Sequence, residues 1–174
     1  MKTFGGRVLF LDRDDINTDE IIPARYLTEV SKQALAPHLM EDLALEGFDP
    51  ALDIAGRGAI VTRANFGCGS SREHAAWALE VNDINLVVAE SFSRIFRQNL
   101  FNCGMLAVRL EPETVTELFE KFTGRDTTVE VDQDRSVLLF ASGDSRQEAA
   151  FSLSPFDRDL IEAGGWVEYA DARY

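Results

Sequence analysis

The sequence predicts one α/β domain, a mixed sheet flanked by helices with an antiparallel stretch towards the C-terminal end. Three observations lead there. Four short runs rich in Val, Ile and Leu, namely GRVLFL (6–11), GAIVTRANF (58–66), INLVVAES (84–91) and GMLAVRLE (104–111), have the length and composition of buried strands. Helical patterns separate them, as the crossovers of a parallel sheet require. Finally, 174 residues suffice for one domain with a substantial core and fall short of two of ordinary size, so residues 1–174 are read as a single unit.

In chain order, the first strand is followed by a different kind of segment. Residues 25–53 carry a helical pattern around 31–45 and then the breaker EGFDP, and are expected to form a mobile flap. After the second strand, 71–81 reads as a helix with Ala75, Ala78, Leu79 and Trp77 on a largely apolar surface. After the third, 91–103 places Phe92, Ile95, Phe96, Leu100 and Cys103 near one face. A short helix over 113–122 stops at Gly124. TTVEVD, SVLLFA and EAAFSLS then read as strands, with DQDR as the first turn. SPFDRDLIEAGG closes the pattern as a helix with Ser154 at its N-cap, Pro155 at the first position and Gly164 at the stop.

Composition narrows the function. With 17 Lys and Arg against 30 Asp and Glu the formal charge is −13, which opposes attraction to phosphate backbones or anionic membranes. Nucleic acid and membrane are therefore not expected as partners, and an anionic substrate has to be held locally. No apolar run approaches the length of a membrane span and the start has no apolar h-region, so a cytoplasmic location is expected. Cys68 and Cys103 lie far apart, match no zinc spacing and are too few for an iron–sulfur cluster; two reduced, buried thiols are expected.

One stretch concentrates the chemistry: NFGCGSSREHAAWALE, residues 65–80. Ser70-Ser71-Arg72-Glu73 fits the S-x-x-E capping box, in which Ser70 caps the third amide of a helix and Glu73 reaches back. The same start offers unpartnered amides and the positive end of a helix dipole. Gly67 and Gly69 allow close approach, and Arg72 supplies a forked cation suited to a carboxylate. A cation in a first turn opposes the dipole, so Arg72 calls for an anion, either Glu73 or a ligand. His74, about one turn beyond Ser70, leaves a Ser-His arrangement open, although a histidine satisfied by a nearby backbone group is the favoured reading. There is no G-x-S-x-G elbow and no Walker loop.

Three segments in register, DRDDINTDEIIPARYL (12–27), NFGCGSSREHAAWAL (65–79) and AESFSRIFRQNLFNCGMLAV (89–108), resemble the small-subunit family of 3-isopropylmalate dehydratase, which is similar to the swivelling domain of aconitase. The resemblance covers roughly residues 6–110. It implies a compact swivelling-type β/β/α domain and a subunit of a hydro-lyase that isomerises 2-isopropylmalate and 3-isopropylmalate in leucine biosynthesis. It also implies a separate large subunit carrying a 4Fe–4S cluster, with no cofactor bound by this chain. Carried over, Ser70 is the catalytic base, acting as an alkoxide on the proton α to a carboxylate. Ser71 and Arg72 hold substrate carboxylates, with Asp19 as a supporting candidate. Some relatives carry a Y-L-R signature in the loop after IIP, whereas this chain has Tyr26-Leu27-Thr28-Glu29, with Arg25 as the substitute candidate for substrate binding. Alternatives within the class are related hydroxy-diacids or triacids of the homoaconitase or methylmalate type. Outside it stand a stand-alone anion-binding module and a serine hydrolase built on Ser70 and His74.

Overall fold

A computed structural model describes residues 4–174. Among these residues seven strands form one mixed sheet in the order β4-β3-β2-β1-β5-β6-β7. The four buried runs are β1 (Gly5–Leu11), β2 (Arg57–Thr62), β3 (Leu86–Ala89) and β4 (Leu106–Arg109), all parallel to one another. The remaining three, β5 (Thr128–Asp132), β6 (Val137–Ser142) and β7 (Ser145–Ala150), continue the sheet antiparallel from the other edge of β1. Every residue of β3 is buried, as expected of a parallel strand covered on both faces.

Among the described residues seven α-helices accompany the sheet: α1 (Thr18–Ile21), α2 (Pro50–Asp53), α3 (Glu73–Glu80), α4 (Arg94–Asn102), α5 (Pro112–Phe122), α6 (Pro155–Ala163) and α7 (Trp166–Arg173). The apolar spacing of α5 buries Val115, Leu118, Phe119 and Phe122, and Phe119 meets Phe10 of β1 edge-on at 5.5 Å. On α4 the buried face is Phe96, Leu100 and Phe101, whereas Ile95 is exposed. One residue is a 100° turn of a helix, so a face centred on Phe96 turns its neighbour out. At α6, Ser154 accepts from the Asp157 amide at 3.1 Å, Pro155 opens the helix, and Gly164 ends it in the left-handed region, as the sequence predicts. A further helix, α7, follows directly.

The long excursion between β1 and β2 differs from its expectation in its helix. A helix over 31–45 does not form; Lys32–His38 is a 3₁₀ helix that contains Pro37, followed by turns. Proline lacks the amide that an α-helix interior needs. In addition, Leu35, Leu39, Met40 and Leu43 are buried in the common core, and the Met40 amide donates to Ile21 O at 2.8 Å. These four side chains of the excursion thus belong to the core. Residues 27–33, by contrast, are mostly exposed.

Candidate active site

The three motif segments leave the carboxyl ends of β1, β2 and β3 and meet there. A parallel bridge joins Asn17 to Cys68 and another joins Phe66 to Phe92. Backbone bonds run from Gly67 N to Ile16 O at 2.8 Å, from Thr18 N to Cys68 O at 2.9 Å, and from Ser93 N to Phe66 O at 3.0 Å. The loop after β2 is thus stitched on one side to the loop after β1 and on the other to the loop after β3. A crevice at the carboxyl ends of parallel strands is where open α/β sheets place ligands.

Gly67 is required at the seam. Its φ is +82°, and a Cβ there would lie 1.8 Å from Cδ1 of Phe96, whose ring packs edge-on against Phe66. Close packing of backbone on an aromatic ring fixes the height at which the next residues emerge.

The capping box expected at Ser70 does not form. α3 begins at Glu73, its N-cap is Arg72 in an extended conformation, and no side chain caps it. Long-range bonds explain the delay: Thr18 Oγ1 donates to Ser70 O at 2.9 Å, holding the loop in line with α1. The hydroxyl of Ser70 makes no hydrogen bond to any described residue, and Ser70 and Ser71 are both exposed. The box is found instead at Asn17-Thr18-Asp19-Glu20. Asn17 Oδ1 accepts from the Glu20 amide at 2.9 Å, and Glu20 accepts from the Asn17 amide at 3.2 Å. Sequence reasoning missed it although N-x-x-E spells the same signature.

Arg72 pairs with Asp19 rather than with Glu73. Their side chains are 22% and 58% exposed. Asp19 is held from behind by a second pair: both terminal nitrogens of Arg13 reach the Glu20 carboxylate at 2.5 Å. That bond holds the Glu20 carboxyl below its ordinary range. Arg13 also donates to Asp15 O and Ala44 O, tying the site to the excursion. Its role had no local signal, because its partner is fixed only by the turn at α1.

Arg25 lies in the excursion and is turned to that segment's own acids, Asp42 at 2.8 Å and Glu41 at 2.5 Å. Tyr26 donates to Glu41 at 2.6 Å and stacks on His38 at 3.8 Å. His74 Nε2 meets the Glu29 carbonyl at 3.1 Å and its ring leans on Trp77 at 4.6 Å, so a backbone group satisfies it and no Ser-His relay is formed with Ser70. Neither cysteine forms a disulfide, and both are half-buried rather than buried. Burial pushes the Cys68 thiol up, which disfavours the thiolate a nucleophile needs.

Among the described residues no three His, Cys, Asp or Glu side chains come together as a metal site. The residues present do not fit an iron–sulfur cluster, which is usually held by three or four thiolates. Among the same residues no helix is long and apolar enough to cross a membrane.

Residues 6–113 match the Aconitase C-terminal domain family. The 3-isopropylmalate dehydratase small subunit 2 of Deinococcus radiodurans is 42% identical over 166 residues, covering 92% of this chain and 72% of that one. The 3-isopropylmalate dehydratase small subunit of Deinococcus deserti is 40% identical, covering 96% and 87%. The chain belongs to the 3-isopropylmalate dehydratase small-subunit family. A crystal structure of a 3-isopropylmalate dehydratase from Methanocaldococcus jannaschii superposes with a TM-score of 0.79 at 32% identity, covering 98% of this chain and 94% of that one. Within this family the mixed sheet with flanking helices is the shared fold, and the seam of three loops described above is formed by the segments that carry the resemblance.

Proposed function

We propose that this chain is the small subunit of a heteromeric hydro-lyase that interconverts 2-isopropylmalate and 3-isopropylmalate by dehydration and rehydration, in leucine biosynthesis and in the cytoplasm. Its partners are a cluster-bearing large subunit and a small carboxylate substrate, not nucleic acid or membrane. The 4Fe–4S cluster is assigned to the large subunit, where it supplies Lewis-acid chemistry. This chain supplies the base and part of the anion site.

The observation that carries the reading is the Ser70 hydroxyl. It is exposed and free of any described partner, two residues before Arg72, the N-cap of the eight-residue helix α3. As an alkoxide it takes the proton α to a carboxylate. A serine hydroxyl does so only where positive charge and amides surround it and water is excluded. Ser71 and Arg72 hold substrate carboxylates. Asp19 stands against Arg72, and Arg25 enters the site only by leaving Asp42 and Glu41.

On this chain alone the charge of Arg72, the arginine beside Ser70 and Ser71, is shared with Asp19, in a molecule of net charge −13. That is half of a diacid site, and it supports a partner that closes over it. The test is reconstitution. Co-purified with a cluster-bearing large subunit, the chain is expected to hydrate the unsaturated diacid, while alone it binds isopropylmalate weakly. Full-affinity binding of isopropylmalate by the isolated chain would overturn the reading and favour an anion-binding module.

A further inference from the structure

Asp19 poses a contradiction of charge. It stands in a site for carboxylates yet is itself a carboxylate, and like charges at close range repel. We infer that Asp19 is a positioning residue: it pins the Arg72 guanidinium by one end before substrate arrives and leaves the other nitrogens for a substrate carboxylate. The inference rests on the diacid site proposed above.

The contrast between the two ion pairs supports it. Arg13 gives both terminal nitrogens to Glu20, which closes the fork and makes that pair structural. Arg72 meets Asp19 through Nη1 alone, and its Nε and Nη2 have no partner among the described residues. The pair is thus open on one edge, and that edge is what a carboxylate engages in a two-point contact.

Both ends of the pair are fixed at the backbone. Thr18, next to Asp19, donates to Cys68 O and Ser70 O, each at 2.9 Å, so the two residues are carried on loops stitched together one and two positions away. The Asn17–Glu20 box and Arg13 hold α1 from the far side. An arginine side chain loses rotamer freedom when it binds, and a side chain already held in place loses less. The gain from such prior ordering is about two- to tenfold in affinity for one side chain.

The test uses the reconstituted complex and steady-state kinetics with isopropylmalate. Asp19→Ala is expected to raise KM about two- to tenfold, with a smaller change in kcat. Asp19→Asn, which retains an oxygen acceptor, recovers part of the loss. In an Arg72→Ala background, Asp19→Ala changes KM no further. A fall in KM would overturn the inference by making Asp19 a competitor for Arg72. An equal rise in the Arg72→Ala background would overturn it by placing its action elsewhere. Thermal melting of each variant separates these outcomes from misfolding. A wild-type complex that does not turn over the diacid overturns the functional reading together with this inference, whereas the wrong KM pattern in an active complex overturns this inference alone.

Discussion

Replacing Gly67 with alanine strikes the seam on which the site is built. The added Cβ would lie 1.8, 2.2 and 2.7 Å from Cδ1, Cγ and Cβ of Phe96, closer than any real contact. Phe96 is 2% exposed and held edge-on by Phe66 at 5.4 Å, so its ring has no free volume to enter. Two costs combine. A residue with a Cβ at φ +82° costs about 1–2 kcal/mol, and overpacking a dense interior costs about 1–3 kcal/mol. A loss of about 3 kcal/mol corresponds to a fall of about 6–12 °C in Tm for a chain of this size. Gly69→Ala is the control: φ is +94°, but its nearest atoms lie at an ordinary 3.5 Å, so only the backbone cost applies. Calorimetry of both variants isolates the clash. Equal losses for the two substitutions would refute the argument that Phe96 against Gly67 sets the loop.

Two further outcomes follow from the ion pairs. Because the Arg13 hydrogen bond depresses the Glu20 carboxyl, its stabilisation is present above the unfolded value of about 4.3 and is lost as pH falls through the lower folded value. Glu20→Gln should therefore lower Tm at pH 7 and flatten its fall between about pH 5 and pH 3; parallel curves for variant and wild type would contradict this. Arg25→Ala removes an exposed tether to Asp42 and Glu41, so Tm is expected to stay near wild type while limited proteolysis within residues 27–33 accelerates. An unchanged cleavage rate would show that the tether does not hold the excursion.

What the sequence made legible was periodic or local. The parallel half of the sheet was readable because buried strands spell themselves as unbroken apolar runs, and the last predicted helix because Ser154, Pro155 and Gly164 each act on the neighbouring backbone. The excursion was not, because a helical spacing of apolar residues around Leu35 to Leu43 is met equally by a 3₁₀ segment and turns once Pro37 forbids the α-helix. The capping box shows the limit most clearly. Asn17-x-x-Glu20 and Ser70-x-x-Glu73 are alike as strings. The first forms because Arg13 holds Glu20, and the second fails because Thr18 claims the Ser70 carbonyl, and both partners lie across loops that only the fold brings together. For the same reason Ser70 and Arg72 were readable as candidates from their motif, while the Asp19 contact that completes them was not.

The most direct measurement of the central claim is kcat of the assembled enzyme with Ser70→Ala in this chain. Ser70 makes no side-chain bond to any described residue, so the variant is expected to fold and to assemble with the large subunit as wild type does. With the proposed base removed, kcat for hydration of the unsaturated diacid is expected to fall by about 10²- to 10⁴-fold, with KM changing little. An assembled Ser70→Ala complex that retains full activity would contradict the account.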